Sequence, residues 1–155
     1  MATADDVETY RRHAPELVRY AAVLVGPDDA PDVVTDAVLA AFASPRWGAV
    51  TNRRAYLYQA VLRRSASHHR ADQRRRRREN RAVALAVVPH DVPDPTVDAH
   101  RVLAALSGQQ RAVVFLTYWE DLSPAQIAEL LNVSDGTVRK QLARARNHLR
   151  RSLDA

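Results

Sequence analysis

Six basic side chains near the C-terminus, Arg139, Lys140, Arg144, Arg146, Arg150 and Arg151, lie opposite a stripe of Val138, Leu142, Ala145 and Leu149. That spacing places the cations on the free face of one helix, where they can meet a line of phosphates. Arginine there can also pair bidentately with guanine O6 and N7, and the Gln141 amide matches adenine N6 and N7. Ser134, Gly136 and Thr137 stand at the start of the same helix, where free N–H groups and the helix dipole favour a phosphate. A second cationic block runs from residue 61 to 81, with 9 basic and 2 acidic groups. The chemistry on offer is contact with a polyanion. No nucleophile–base–orienter set or glycine-rich phosphate loop is present, so catalysis is not expected. With no cysteine, and with His68, His69 and His90 outside any carboxylate–histidine cluster, neither a metal nor a cofactor is expected.

The basic helix needs a partner to aim it. Ser123 can cap a short helix with Pro124 at its first position, and Ile127, Ala128, Leu130 and Leu131 give that helix an apolar face. Asn132 suits the left-handed exit, and Ser134 can start the basic helix about three residues later. Ala128 is small enough for a close crossing, with Val133 and Val138 filling the space between. Two helices so joined, the second basic outside, read as a DNA-binding helix-turn-helix. An ordinary helical hairpin with a solvated basic face is the simpler alternative.

The remaining chain supports an all-α fold of two small helical domains. Its 155 residues include four glycines, and 46% are hydrophobic with few aromatics. Val7 to Val25 carries apolar residues at helical spacing, and Gly26-Pro27 ends the run. Asp28 or Asp29 can cap a second helix whose buried face is Val33, Val34, Ala37, Val38, Ala41 and Phe42. A loop from Ser44 to about Arg54 follows, then a third helix with Tyr56, Leu57, Ala60 and Val61. The arginine run Arg74–Arg78 is expected to end or follow that helix and to be partly disordered, because like charges repel. Residues 82–96 read as an acidic, proline-bearing linker between domains at 1–81 and 97–155. A fourth helix is expected from about Thr96 to Leu106, and Ser107 with Gln110 can form a capping box for a fifth. Core candidates for the second domain are Val102, Leu106, Val113, Leu116, Leu130, Val138 and Leu142. Net charge alternates along the chain: −2 over 1–60, +7 over 61–81, −5 over 82–138 and +5 over 139–155. Two separate basic blocks suggest two contacts with one polyanion. No signal peptide or membrane span is visible, and the cysteine-free composition fits a reducing cytoplasm.

The stretch LSGQQRAVVFLTYWEDLSPAQIAELLNVSDGTVRKQLARARNHLR closely resembles region 4 of bacterial sigma-70-type factors of the extracytoplasmic-function group. DDAPDVVTDAVLAAF and NRRAYLYQAVLRRSASHHR resemble region 2 of the same proteins. The arginine-rich, lysine-poor character is similar to actinobacterial members.

The resemblance implies an alternative sigma factor that binds core RNA polymerase and directs promoter-specific initiation, with a region 2 bundle of three to four helices and a four-helix region 4. Ser134, Gly136, Thr137, Arg139, Lys140, Gln141, Arg144 and Arg146 match the −35-reading positions. Trp47, Asn52, Arg53, Tyr56, Tyr58, Arg63 and Arg64 match the part that holds the −10 element, where opened bases need aromatic faces and cations. Asp32, Thr35, Asp36 and Leu39 match the surface that docks on the clamp helices of the polymerase β′ subunit, and region 4 implies contact with the flap of the β subunit. Many relatives have arginine at the Gln141 position, glutamine at the Thr35 position and an arginine near Ala40 or Ala41. An anti-sigma protein is a further implied partner, and no membrane association is implied. Two other readings stay open at this level: a stand-alone helix-turn-helix regulator, and a sigma homologue that occupies polymerase without initiating.

Overall fold

The structure, a computed structural model, describes residues 2–82 and 103–154. Among the described residues every regular element is helical: α1 (Ala4–Val25), α2 (Ala30–Ala43), a 3₁₀ turn (Trp47–Ala49), α3 (Arg53–Ala82), α4 (Gly108–Tyr118), α5 (Pro124–Leu131) and α6 (Asp135–Asp154). The fold is all-α. The linker assigned to 82–96 (apart from Ala82, which ends α3), most of the helix expected over Thr96–Leu106, and the core candidate Val102 lie outside the described residues.

Local chemistry sets the helix ends. The backbone N–H of Asp6 donates to Thr3 Oγ1, and the Thr3 N–H donates to the Asp6 carboxylate, a reciprocal box that starts α1 ahead of the apolar run. Equivalent boxes pair Ser107 with Gln110 and Ser123 with Gln126. Asn132 takes the left-handed conformation, φ 56°, and closes α5 as its residue type suggests. Asp29 precedes α2 without a capping hydrogen bond, and its carboxylate meets His68 Nε2 at 3.0 Å instead.

The arginine run departs from expectation. It continues α3 as helix through Ala82. Arginine is a good helix former, and Asp72 pairs with Arg75 at i+3 and Arg76 at i+4, which offsets part of the repulsion.

In the N-terminal half, α1, α2 and α3 pack on one another through Leu17, Tyr20 and Leu24, Val34 and Val38, and Leu57 and Val61, all buried. In the C-terminal half, Val113 and Leu116 of α4, Ile127 of α5 and Val138 of α6 form the centre. The halves are not separate. α4 packs on α1, and α5 packs on α3, so one apolar cluster runs through both. Along the seam the Tyr20 and Phe115 rings lie 6.1 Å apart, and the Gln59 amide donates to Leu130 O at 3.3 Å. Arg111 crosses from α4 to donate to Leu24 O at 2.9 Å, while it also ties down Leu106 O and Ala104 O of its own segment.

Candidate nucleic-acid interface

α6 owes its direction to the crossing with α5. Ile127, Ala128 and Val138 are buried at that crossing, and the Val133 N–H donates to Ala128 O at 3.0 Å, closing the turn. Ala128 is 6% exposed there, in keeping with the small residue that the spacing calls for. With Val138, Leu142 and Ala145 turned inward, Arg139, Lys140 and Arg144 stand exposed on the outer face. None has an acidic partner among the described residues, so these three cations are free to meet phosphate or a guanine edge.

Not every predicted α6 residue shares that freedom. Gln141 is partly buried and its amide donates to Gln109 Oε1 of α4 at 3.1 Å, which turns it away from the exposed face. Arg146 donates to the Tyr118 hydroxyl at 2.9 Å and lies over that ring at 5.9 Å. At the helix start, Ser134 Oγ accepts from the Thr137 N–H at 3.1 Å and meets the Thr137 hydroxyl at 2.9 Å. Its oxygen therefore serves the cap, while Gly136 remains exposed.

The second surface lies on α3 and the loop before it. Arg63 and Arg64 are exposed, and Tyr56 is half-buried beneath Arg63, whose guanidinium sits 6.0 Å from the ring. Asn52 is exposed, and its Oδ1 accepts from the Ala55 N–H at 3.0 Å to cap α3. Arg53 pairs with Asp5. Two aromatic assignments need correction as direct base contacts. Trp47 is 5% exposed and Tyr58 is fully buried, so neither ring has a free face on which a base could stack. Tyr58 belongs to a polar cluster with Glu16, which accepts from its hydroxyl at 2.9 Å, from Arg54 at 2.9–3.2 Å, and meets His13 at 2.8 Å. Burial alone would push the Glu16 carboxyl up. The hydrogen bonds from Arg54, His13 and Tyr58 outweigh it and hold the group below its ordinary range. Burial beside Glu16 pushes the Tyr58 phenol well up, so it stays protonated and donating.

The third surface is the outer face of α2. Asp32, Thr35, Asp36 and Leu39 are all exposed, and Leu39 keeps 59% of its surface free. Beside Leu39 a shallow apolar groove is lined by Val7, Tyr10, Val38 and Phe42. Asp36 pairs with Arg64 at 2.9 Å, which joins this surface to the one on α3. Between them lies a hollow lined by Ala37, Ala40, Ala41, Tyr56, Arg63 and Arg64. Ala37, Ala40 and Ala41 give that hollow a small-residue wall on the α2 side. None of the described helices is long and apolar enough to cross a membrane.

Sequence reasoning missed Asp6, which is 5% exposed and accepts the Trp47 indole N–H at 2.8 Å. The one available signal was Thr3 three residues before Asp6 at the head of an apolar run.

Comparison with known proteins places the geometry in context. The family model "Sigma-70, region 4" matches residues 96–149. The RNA polymerase sigma-E factor of Streptomyces avermitilis is 34% identical over 96% of this chain and 84% of its own length. That of Streptomyces coelicolor is 33% identical over 96% and 85%. In fold, the chain is similar to the sigma factor RpoE of Bartonella quintana, solved in complex with the anti-sigma factor NepR, at a TM-score of 0.64, 22% identity and 99% coverage of both chains.

Proposed function

The chain belongs to the sigma-70 family of RNA polymerase sigma factors, and from that premise we propose how its three surfaces divide the work of initiation. It is an alternative sigma factor: it binds core RNA polymerase and directs initiation at its own promoters. The observation that carries the division is the free trio Arg139, Lys140 and Arg144 on the aimed face of α6. These residues read the −35 element as duplex, with Gly136 and Thr137 at the helix start against phosphate. The α3 surface of Asn52, Arg53, Tyr56, Arg63 and Arg64 holds the opened −10 strand, whose bases need an aromatic face and whose backbone needs cations. The α2 face of Asp32, Thr35, Asp36 and Leu39 docks on the polymerase clamp, with the groove beside Leu39 taking apolar side chains. Bond-making belongs to the polymerase, and this chain acts beside it in the cytoplasm without chemistry of its own. The solved neighbour is bound to an anti-sigma factor, and a protein antagonist of that kind is a partner class for this chain too.

The test is run-off transcription with core polymerase, this protein and fragmented genomic DNA, followed by sequencing of transcript 5′ ends. Discrete starts that share motifs near −10 and −35 are expected. Core binding without any start would instead identify a non-initiating homologue. On a promoter mapped this way, Arg144→Ala should lower −35-dependent transcription by roughly fivefold to a hundredfold, as loss of a good guanine pair of about 1–3 kcal/mol implies. Core affinity should be unchanged.

A further inference from the structure

Trp47 matches the −10-binding loop by position, yet its ring is enclosed, and the contacts that enclose it lead to the exposed residues one after another. The indole lies 5.1 Å from Phe42 and 5.7 Å from Tyr56, the latter edge to face. The Arg53 guanidinium sits over it at 5.0 Å, and Tyr56 in turn carries Arg63. On its polar side the indole N–H donates to Asp6 Oδ1 at 2.8 Å, while Asp6 Oδ2 accepts the Thr3 N–H at 2.9 Å. One buried carboxylate thus joins the first turn of α1 to the loop before α3, across 41 residues of chain.

From this juxtaposition we propose that Asp6 and Trp47 are positioning residues for −10-strand capture: the Asp6 carboxylate fixes the indole, and the indole is the shelf that sets Tyr56 and Arg53 at the surface. The inference rests on the assignment of Tyr56, Arg53 and Arg63 to the −10 strand. The shelf works because an aromatic ring flanked edge to face and capped by a guanidinium has one favourable orientation, which the indole N–H then selects. A carboxylate suits the anchor because a charge-assisted bond is shorter and stronger than a neutral one. The Thr3 N–H and the indole N–H both hold the Asp6 carboxyl below its ordinary range, so the anchor stays ionised at neutral pH.

The experiment uses holoenzyme assembled from core polymerase and the full chain. It measures three affinities: for core, for a −35 duplex, and for a single-stranded −10 oligonucleotide from a promoter mapped as above. Asp6→Ala and Trp47→Phe, each of which removes the same hydrogen bond, should weaken binding of the −10 strand by about tenfold, the scale of one charge-assisted bond. Core and −35 affinities should stay within about twofold. Because the two changes remove one bond, the double variant should be no weaker than either alone. Asp6→Asn, which keeps a neutral acceptor for the indole, should recover part of the loss. Thr3→Ala supplies the control, since it removes the cap of α1 and leaves the indole bond. If Thr3→Ala weakens the −10 strand as much as Asp6→Ala, the pair is merely structural and the proposal is overturned. Wild-type strand affinity in Asp6→Ala and Trp47→Phe, with Arg63→Ala still impaired, overturns the positioning role alone. If Arg63→Ala also binds the strand normally, the −10 assignment itself falls.

Discussion

On the inner side of α1 in the N-terminal half, Glu16 collects His13, Arg54 and Tyr58, and Asp6 collects Thr3 and Trp47. In the C-terminal half no acidic side chain among the described residues is buried; α4, α5 and α6 meet through Leu116, Ile127 and Val138, and the starts of α4 and α5 are held by two Ser–Gln boxes. The difference matches what the roles proposed above would ask each half to hold. A recognition helix that enters duplex DNA needs only its axis fixed, and apolar packing fixes an axis. A surface that must hold unstacked bases needs individual rings and guanidinium groups fixed in rotation. Directional hydrogen bonds to carboxylates such as Asp6 and Glu16 do that, and apolar contact does not.

The largest test of this contrast is Leu116→Ala. Leu116 is fully buried, and truncation should cost about 3 kcal/mol, within the range for Leu→Ala in a core. Because α4 and α5 lean on α1 and α3, the whole chain should melt earlier in a single transition, by roughly 2–4 °C per kcal/mol. Two separate transitions in calorimetry would show that the seam is too weak to couple the halves.

Glu16→Gln tests the other half and should cost about 2 kcal/mol, because Arg54 loses its charged partner. The effect has a pH signature. The folded-state Glu16 carboxyl is held below its ordinary value of 4.5, so its contribution is full above that pH and is lost as pH falls through the folded-state value. The variant should therefore lie below wild type at neutral pH and converge with it in acid. Parallel melting curves at every pH would place the Glu16 contribution elsewhere. Ser123→Ala, which removes only a cap, should cost about 1 kcal/mol with no such pH dependence.

How legible this was differs between the halves for the same reason. The C-terminal half could be read from Ser123, Pro124, Asn132 and the Val138–Leu149 stripe, since caps and periodicity are local signals. The exposed positions of Arg139, Lys140 and Arg144 follow from that stripe. Gln141 lay beyond it, because its partner Gln109 is 32 residues away on another helix. In the N-terminal half the helices were legible, yet the inward turn of Tyr58 and Trp47 was not. Whether a tyrosine or tryptophan faces solvent or core depends on a distant acceptor, and here the acceptors are 42 and 41 residues upstream. The helical arginine run is hidden for a nearer cause: the repulsion lies within the run, while the pairs that offset it, at i+3 and i+4, come from Asp72 just upstream.

A change of opposite sign tests the seam itself. Tyr20 lies where α1 meets α3 and α4, 4.8 Å from the Tyr58 ring and 6.1 Å from Phe115, and it is fully buried. Its hydroxyl has no hydrogen-bond partner among the described residues. A hydroxyl in that position gives up its water when the halves close and gains nothing in return, a cost of about 1 kcal/mol or more. Phenylalanine fills the same space without that cost. Tyr20→Phe should therefore raise the melting temperature by a few degrees, opposite in sign to every other substitution above, and should do so only while the halves are joined. A variant lacking residues 103–155 gives the check, because in it the Tyr20 edge that met Phe115 faces water and the gain should vanish. If Tyr20→Phe lowers stability in the full chain, the hydroxyl is paired in solution, and the seam is wetter and looser than the packing of Tyr20 against Phe115 indicates.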